Sequence, residues 1–510
     1  MTAKRVGLFF LSLWVTFLIG AALYGSWKQP QTQGQLSLYQ TDLVLEATAW
    51  HPPSSDQVEL KIQLLGKDPL QQAYKQYQMV RDSIQKSLPS EAAEADPRQT
   101  PTDPPGLRSQ DLLDRLSIRL GILAAVRHDQ IAARQAWQTV RDAPYTSEVH
   151  RQNLALVESL EQTWQSPSSL SAAAEPLLRQ ALSGWFRDQT LQQLFEQTDQ
   201  PEALAALQRD RQTRGEAALW RLGLVVGTPA LGSLLGLALL VGWSLQQYRR
   251  KFQGDPSPAD SPNQAQAETS ALGVAVPWDL DTVWTTMLIW FFAFFAVSLA
   301  VPVGIQALAG LATTATARGQ ALLALANYSG LMLVGLGIII YATRPYIGSF
   351  FQWLPLTVQG RWILWGVGGY FAALPLVLLI SLINRQLLSD QGGGNPLLEI
   401  ILQSNDGWTW LVLLGMVSVL APAFEEMVFR GFVLTSLSRF FPAWGAVGLS
   451  AALFAIAHLN VADFLPLLVL GTVLGTIYIQ SRNLAASILL HSLWNGASLL
   501  SLLFLGNGSA

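Results

Sequence analysis

The chain has 510 residues, half of them hydrophobic and 13% charged, with a formal net charge of −3 and no cysteine. A near-balanced charge argues against a nucleic-acid partner, and the lack of cysteine excludes disulfides, thiolate catalysis and cysteine-ligated zinc. Long apolar runs predict an all-α, polytopic transmembrane helical bundle of about nine spans with an N-terminal extramembrane helical domain.

Lys4 and Arg5 precede a charge-free run over residues 6–27. No small-x-small cleavage site follows it, so residues 1–27 are expected to be an uncleaved signal-anchor span whose basic end stays in the cytoplasm. Residues 28–220 turn polar and rich in Gln, Ala and Leu, and they are expected to form an extracytoplasmic, mostly helical domain. Within it, residues 110–141 read as two amphipathic helices. Leu112, Leu113, Leu116, Leu120 and Leu123 make one stripe; Ile131, Ala132, Ala136 and Trp137 make a second after a break near His128–Asp129. The pattern is like a helical-hairpin repeat, but no 34-residue period is secure. Pro-rich stretches at 52–53 and 89–105 read as loops, and His51, His128 and His150 read as surface or packing residues.

Residues 221–248 hold the second span, with Arg249, Arg250 and Lys251 at its cytoplasmic end. Residues 249–280 are expected to be a flexible cytoplasmic linker, rich in Pro, Ser and Gln over 253–270. Residues 281–510 are almost continuously apolar, with spans expected near 283–305, 319–343, 361–384, 408–438, 443–459, 463–481 and 483–505. The alternation puts Arg344, Arg361, Arg439 and Arg482 in cytoplasmic loops and Arg318 and Arg385 on the other side.

Between Trp408 and Arg439 the charges are Glu425, Glu426 and Arg430. Ionisable groups at that depth are costly and are functional candidates by default; the plainer alternative is a polar plug that fastens one helix to its neighbour. Glu426 and Arg430 are four apart with the acid first, the favourable order for a helical pair. Glu425 is left without a local cation, a carboxylate able to take a proton from water. His458, His491 and Asn495 lie in the following spans. Counted from the cytoplasmic ends, Glu425 lies roughly 20 Å deep, His458 roughly 21 Å, His491 roughly 12 Å and Asn495 roughly 18 Å. His491 and Asn495 share a helix face and suit an oxyanion. Phe454 sits one turn before His458 and is placed to orient its ring, and His458 is placed to help Glu425 deprotonate a water. Such a set fits hydrolysis of a carbonyl compound, and within a bilayer the natural substrate is a peptide bond.

Three motifs carry a resemblance. Glu425-Glu426-x-x-x-Arg430, Phe454-x-x-x-His458 and His491-x-x-x-Asn495 fall in this order on successive apolar segments. Together they resemble the CAAX-protease and bacteriocin-processing (CPBP) family of intramembrane glutamic endopeptidases, well over 408–500, loosely over 283–407 and not at all over 1–270. The resemblance implies a membrane bundle with a cavity open to the cytoplasm. It implies water activation by Glu425 and His458, oxyanion stabilisation by His491 and Asn495, and support from Glu426 and Arg430. It implies no cofactor or metal. Expected partners are the lipid bilayer and a membrane-associated peptide or protein substrate, with a protein partner for the N-terminal helical domain. The expected location is a plasma membrane or other bacterial-type inner membrane. Two other readings stand beside it: a zinc-dependent membrane protease using Glu425, His458 and His491, although no His-Glu-x-x-His is present, and a non-proteolytic scaffold or immunity factor.

Overall fold

The computed structural model describes residues 3–28, 33–52, 54–94, 105–143, 147–165, 174–252, 274–309, 316–388, 397, 400–401, 404 and 406–506. Of the expected linker 249–280, residues 253–273 lie outside the described residues, residues 249–252 continue a helix, and Val276 and Trp278 are buried. Residues 95–104 of the expected Pro-rich loop also lie outside the described residues. The described residues are mostly helical and form no strand. They fall into two compact units, residues 1–29 with 229–503 and residues 30–228 with 504–510.

In the second of these units the helices are α2 (Gln33–Ala47), α3 (Ser55–Leu65), α4 (Pro69–Glu94), α5 (Pro105–Val126), α6 (Gln130–Arg141), α7 (Glu148–Gln165), α8 (Ala174–Ala181), α9 (Gly184–Gln197) and α10 (Pro201–Leu222). Helix α4 runs past Pro89 into the stretch expected as a loop. The break expected between α5 and α6 is a tight turn: His128 takes a positive φ of 63° and Asp129 caps the next helix by accepting from the Ala132 N–H at 3.0 Å. Leu116, Leu120 and Leu123 are buried with Ala136 and Trp137, whereas Ile131 faces outward. A side chain at Gly121 would put its Cβ 2.0 Å from Trp137 Nε1, so the hairpin closes only on glycine there. Polar and charged groups also pair inside this unit, part-buried at Asp42 and Arg119 and buried at Asp114 and His150. Asp42 bonds Arg119 at 3.0 Å and the Tyr77 hydroxyl, and His150 Nδ1 lies 2.7 Å from Asp114.

The other unit holds α1 (Ala3–Lys28), α11 (Thr228–Phe252), α12 (Leu280–Ala309), α13 (Ala317–Thr343), the short α14 (Phe350–Trp353), α15 (Trp362–Leu388), α16 (Gly407–Leu437), α17 (Ala443–Ala457), α18 (Val461–Ser481) and α19 (Leu484–Gly506). Eight described helices are long and apolar enough to cross a membrane. Phe10, Phe17, Leu231, Leu299 and Leu364 remain uncovered by protein, as side chains facing lipid would be. The expected span at 443–459 differs: α17 has 15 residues and reaches only ~22 Å, short of a hydrocarbon core of ~30 Å. The turn after it therefore lies at membrane depth. Asn384 Nδ2 pins this turn region by donating to the buried carbonyl of Ala462 at 2.7 Å. Helix α11 packs on α15 through Gly232 and Gly236; a Cβ at Gly236 would sit 1.9 Å from the Phe371 carbonyl oxygen.

Candidate active site

Helix α16 starts on a firm cap. Asp406 accepts from the Thr409 N–H and takes both forks of Arg318 at 2.7 and 2.8 Å. Further along, the helix is not uniformly α. Met416–Leu420 and Met427–Leu434 are π-helical and flank the α segment Ala421–Glu426. Pro422 accounts for the first widening, because it has no N–H to offer the Ser418 carbonyl four residues back. At the second, the Thr435 hydroxyl donates to the Arg430 carbonyl at 2.9 Å.

Glu426 and Arg430 are fully enclosed. Arg430 Nη1 donates to Glu426 Oε1 at 2.7 Å and Nη2 donates to the Gly471 carbonyl at 3.0 Å. The guanidinium also lies 4.6 Å from the centre of the Phe454 ring, a cation–π contact in a dry setting. His491 Nδ1 meets the same Glu426 oxygen at 2.9 Å. A carboxylate can only accept, so His491 carries a hydrogen on Nδ1 and its orientation is set. The expected pair of Glu426 and Arg430 is thus a triad with His491, and it joins α16 to α18 and α19.

Glu425 points elsewhere. Its Oε1 accepts from the Tyr328 hydroxyl at 3.0 Å. Its Oε2 is buried and, among the described residues, receives no hydrogen bond. That oxygen lies 3.9 Å from His458 Nε2 and 3.8 Å from His491 Nε2. Both separations exceed direct hydrogen bonds and match groups that share one small molecule between them. His458 Nδ1 meets the Phe454 carbonyl at 2.8 Å, so Nδ1 carries a hydrogen and Nε2 faces Glu425. Local folding puts it there. His458 caps α17, Leu459 takes a left-handed φ of 52°, and Asn460 starts α18 by accepting from the Ala462 and Asp463 N–H groups. The Phe454 ring meets His458 edge-on at 4.8 Å and His491 edge-on at 5.7 Å. The His458 side chain keeps 33% exposure against 15% for Glu425 and 3% for His491, so the cluster is open on the His458 side.

Glu425, Glu426, Arg430, Phe454, His458 and His491 therefore meet in one place. Asn495 stands one turn beyond His491 and its Nδ2 donates to the Val417 carbonyl at 3.0 Å, a contact with the π-helical part of α16 rather than with Glu425. Sequence reasoning missed Tyr328, although Asn327, Tyr328 and Ser329 interrupt an otherwise apolar span and gave a readable signal. It also missed Ser418, whose buried hydroxyl has no partner among the described residues, and which lies 3.2 Å from where a Cβ on Gly496 would be. No group of three His, Cys, Asp or Glu suited to a metal ion is present among the described residues.

Comparison with known proteins agrees in place with this cluster. Residues 407–497 match the family model described as Type II CAAX prenyl endopeptidase Rce1-like. No curated protein and no solved structure matches the chain. The matched stretch contains all three motifs and ends two residues past Asn495; Tyr328 lies outside it. With eight apolar helices of spanning length, this is a multi-pass membrane protein.

Proposed function

We propose that this chain is an intramembrane glutamic endopeptidase cutting a membrane-associated protein or peptide, a reading supported by the match of residues 407–497 to the model described as Type II CAAX prenyl endopeptidase Rce1-like. One observation carries the reading: a buried, unbonded carboxylate oxygen, Glu425 Oε2, lies within 4 Å of two imidazole Nε2 atoms. A water held by Glu425 and the lone pair of His458 would give up a proton to Glu425 while its oxygen attacks the scissile carbonyl carbon. His491 is held on Glu426 through its Nδ1–H. Its Nε2–H and the second N–H of Asn495 would hold the oxyanion. Collapse breaks the C–N bond, and the proton on Glu425 passes to the leaving amine.

The test is a comparison of protein termini in membranes from cells that carry either the intact chain or Glu425→Gln. New internal N-termini in one or a few membrane proteins are expected with the intact chain and not with the variant. Identical termini, with both proteins accumulating equally, would contradict the reading. The alternative reading is a zinc enzyme using Glu425, His458 and His491, although no group of three suited to a metal ion is present among the described residues. Metal analysis of the purified active protein separates the two, because a stoichiometric metal whose removal stops cleavage favours the zinc enzyme.

A further inference from the structure

As a base, Glu425 needs its carboxylate aimed. A glutamate side chain in a cleft can rotate about its last bond and present either oxygen. Here one oxygen is taken. The Tyr328 hydroxyl donates to Oε1 at 3.0 Å, and among the described residues this is the hydrogen bond that the Glu425 side chain receives. The same hydroxyl lies 3.5 Å from the Ala421 carbonyl, one turn earlier on α16. Its ring stands edge-on to Phe424 at 6.0 Å, and Phe424 in turn stacks on Trp290 at 6.5 Å. The phenol is wedged from α13 against the helix it serves, and it reaches the oxygen that the imidazoles do not.

We propose that Tyr328 is a positioning residue for hydrolysis: by donating its hydroxyl hydrogen to Oε1 it fixes the carboxylate plane so that Oε2 faces His458 and His491. This rests on Glu425 acting as the base. It makes the geometry of the site depend on α13, a helix outside the stretch matched to the family.

Two measurements test it. The first uses the full chain in liposomes and an internally quenched peptide spanning the junction found by the termini comparison. Tyr328→Phe keeps the ring and removes the hydroxyl. It is expected to lower kcat about tenfold, the scale of one hydrogen bond to a charged group, with KM within about twofold. An unchanged kcat, or a loss confined to KM, would overturn the proposal. Full turnover by Glu425→Gln would instead remove the reading on which it rests, so the two failures are distinct. The second measurement needs no substrate. The Raman ring doublet of Tyr328, taken as the difference between intact protein and Tyr328→Phe, should change from a strong-donor to a weak-donor pattern in Glu425→Ala. The same doublet in both backgrounds would overturn the proposal.

Discussion

Arg430 and Glu426 sit where a substitution should cost the fold before the chemistry. Both are wholly buried and hold each other, the Gly471 carbonyl and His491. Removing one partner strands the other charge, which costs about 3–5 kcal/mol. Arg430→Met is therefore expected to lower the unfolding temperature in detergent sharply, whereas Glu425→Gln, which breaks no ion pair closer than 3.8 Å, should change it little. Equal melting of Arg430→Met and intact protein would contradict this. At this scale much of the site was legible, for one reason: a charge, imidazole or carboxamide in an apolar span stands out by its cost. Tyr328 and Ser418 carry a smaller cost: Tyr328 left a faint signal in the polar run 327–329, and Ser418 shows its part only when the helices are packed. The Asn495 bond to Val417 likewise follows from the local widening of α16, which spacing does not reveal.

The elements were readable as apolar runs, but their irregularities were not. Helix α17 stops after 15 residues, and this places His458 at depth rather than at a surface. The π-helical parts of α16 turn on Pro422 and on a side-chain bond from Thr435. Pro422→Ala returns an N–H to the Ser418 carbonyl and should let the helix tighten. Turnover is expected to fall at least about tenfold while the unfolding temperature holds or rises, since helix interiors prefer alanine. Unchanged turnover would show that the widening is incidental. A second element test concerns α11 on α15. Gly236→Leu should detach or destabilise this pair, because its Cβ would meet the Phe371 carbonyl, whereas Gly242→Leu should not, because nothing lies within 4 Å there. Introduced cysteine pairs across the two helices, in a chain with no native cysteine, would report it.

At the scale of the whole molecule, the unit around residues 30–228 has its own sensitivity. Burial pushes the Glu46 carboxyl up from 4.5 to about 7, against the pull of Arg214 and with Asp42 and Asp188 adding to the rise. Between those values the folded form holds a proton that the unfolded chain releases. Stability is therefore highest below about pH 4.5 from this group and is lost as pH rises to about 7, a change on the order of 1–3 kcal/mol. Hydrogen exchange over α2 in the full chain should quicken across that window, and Glu46→Gln should flatten the response. The sequence made this unit legible as helices but not as a network, because the pairing of Asp42 with Arg119 and Tyr77 joins residues far apart in the chain. Its placement across the membrane remains a proposal from the basic residues, which a reporter fused near residue 150 would test.

In the proposed reaction the carboxylate of Glu425 activates water. Purified, liposome-reconstituted Glu425→Gln should cleave the identified junction at least about a thousandfold more slowly than the intact chain, with the same unfolding temperature. Turnover equal to that of the intact chain, in a folded variant, would contradict it.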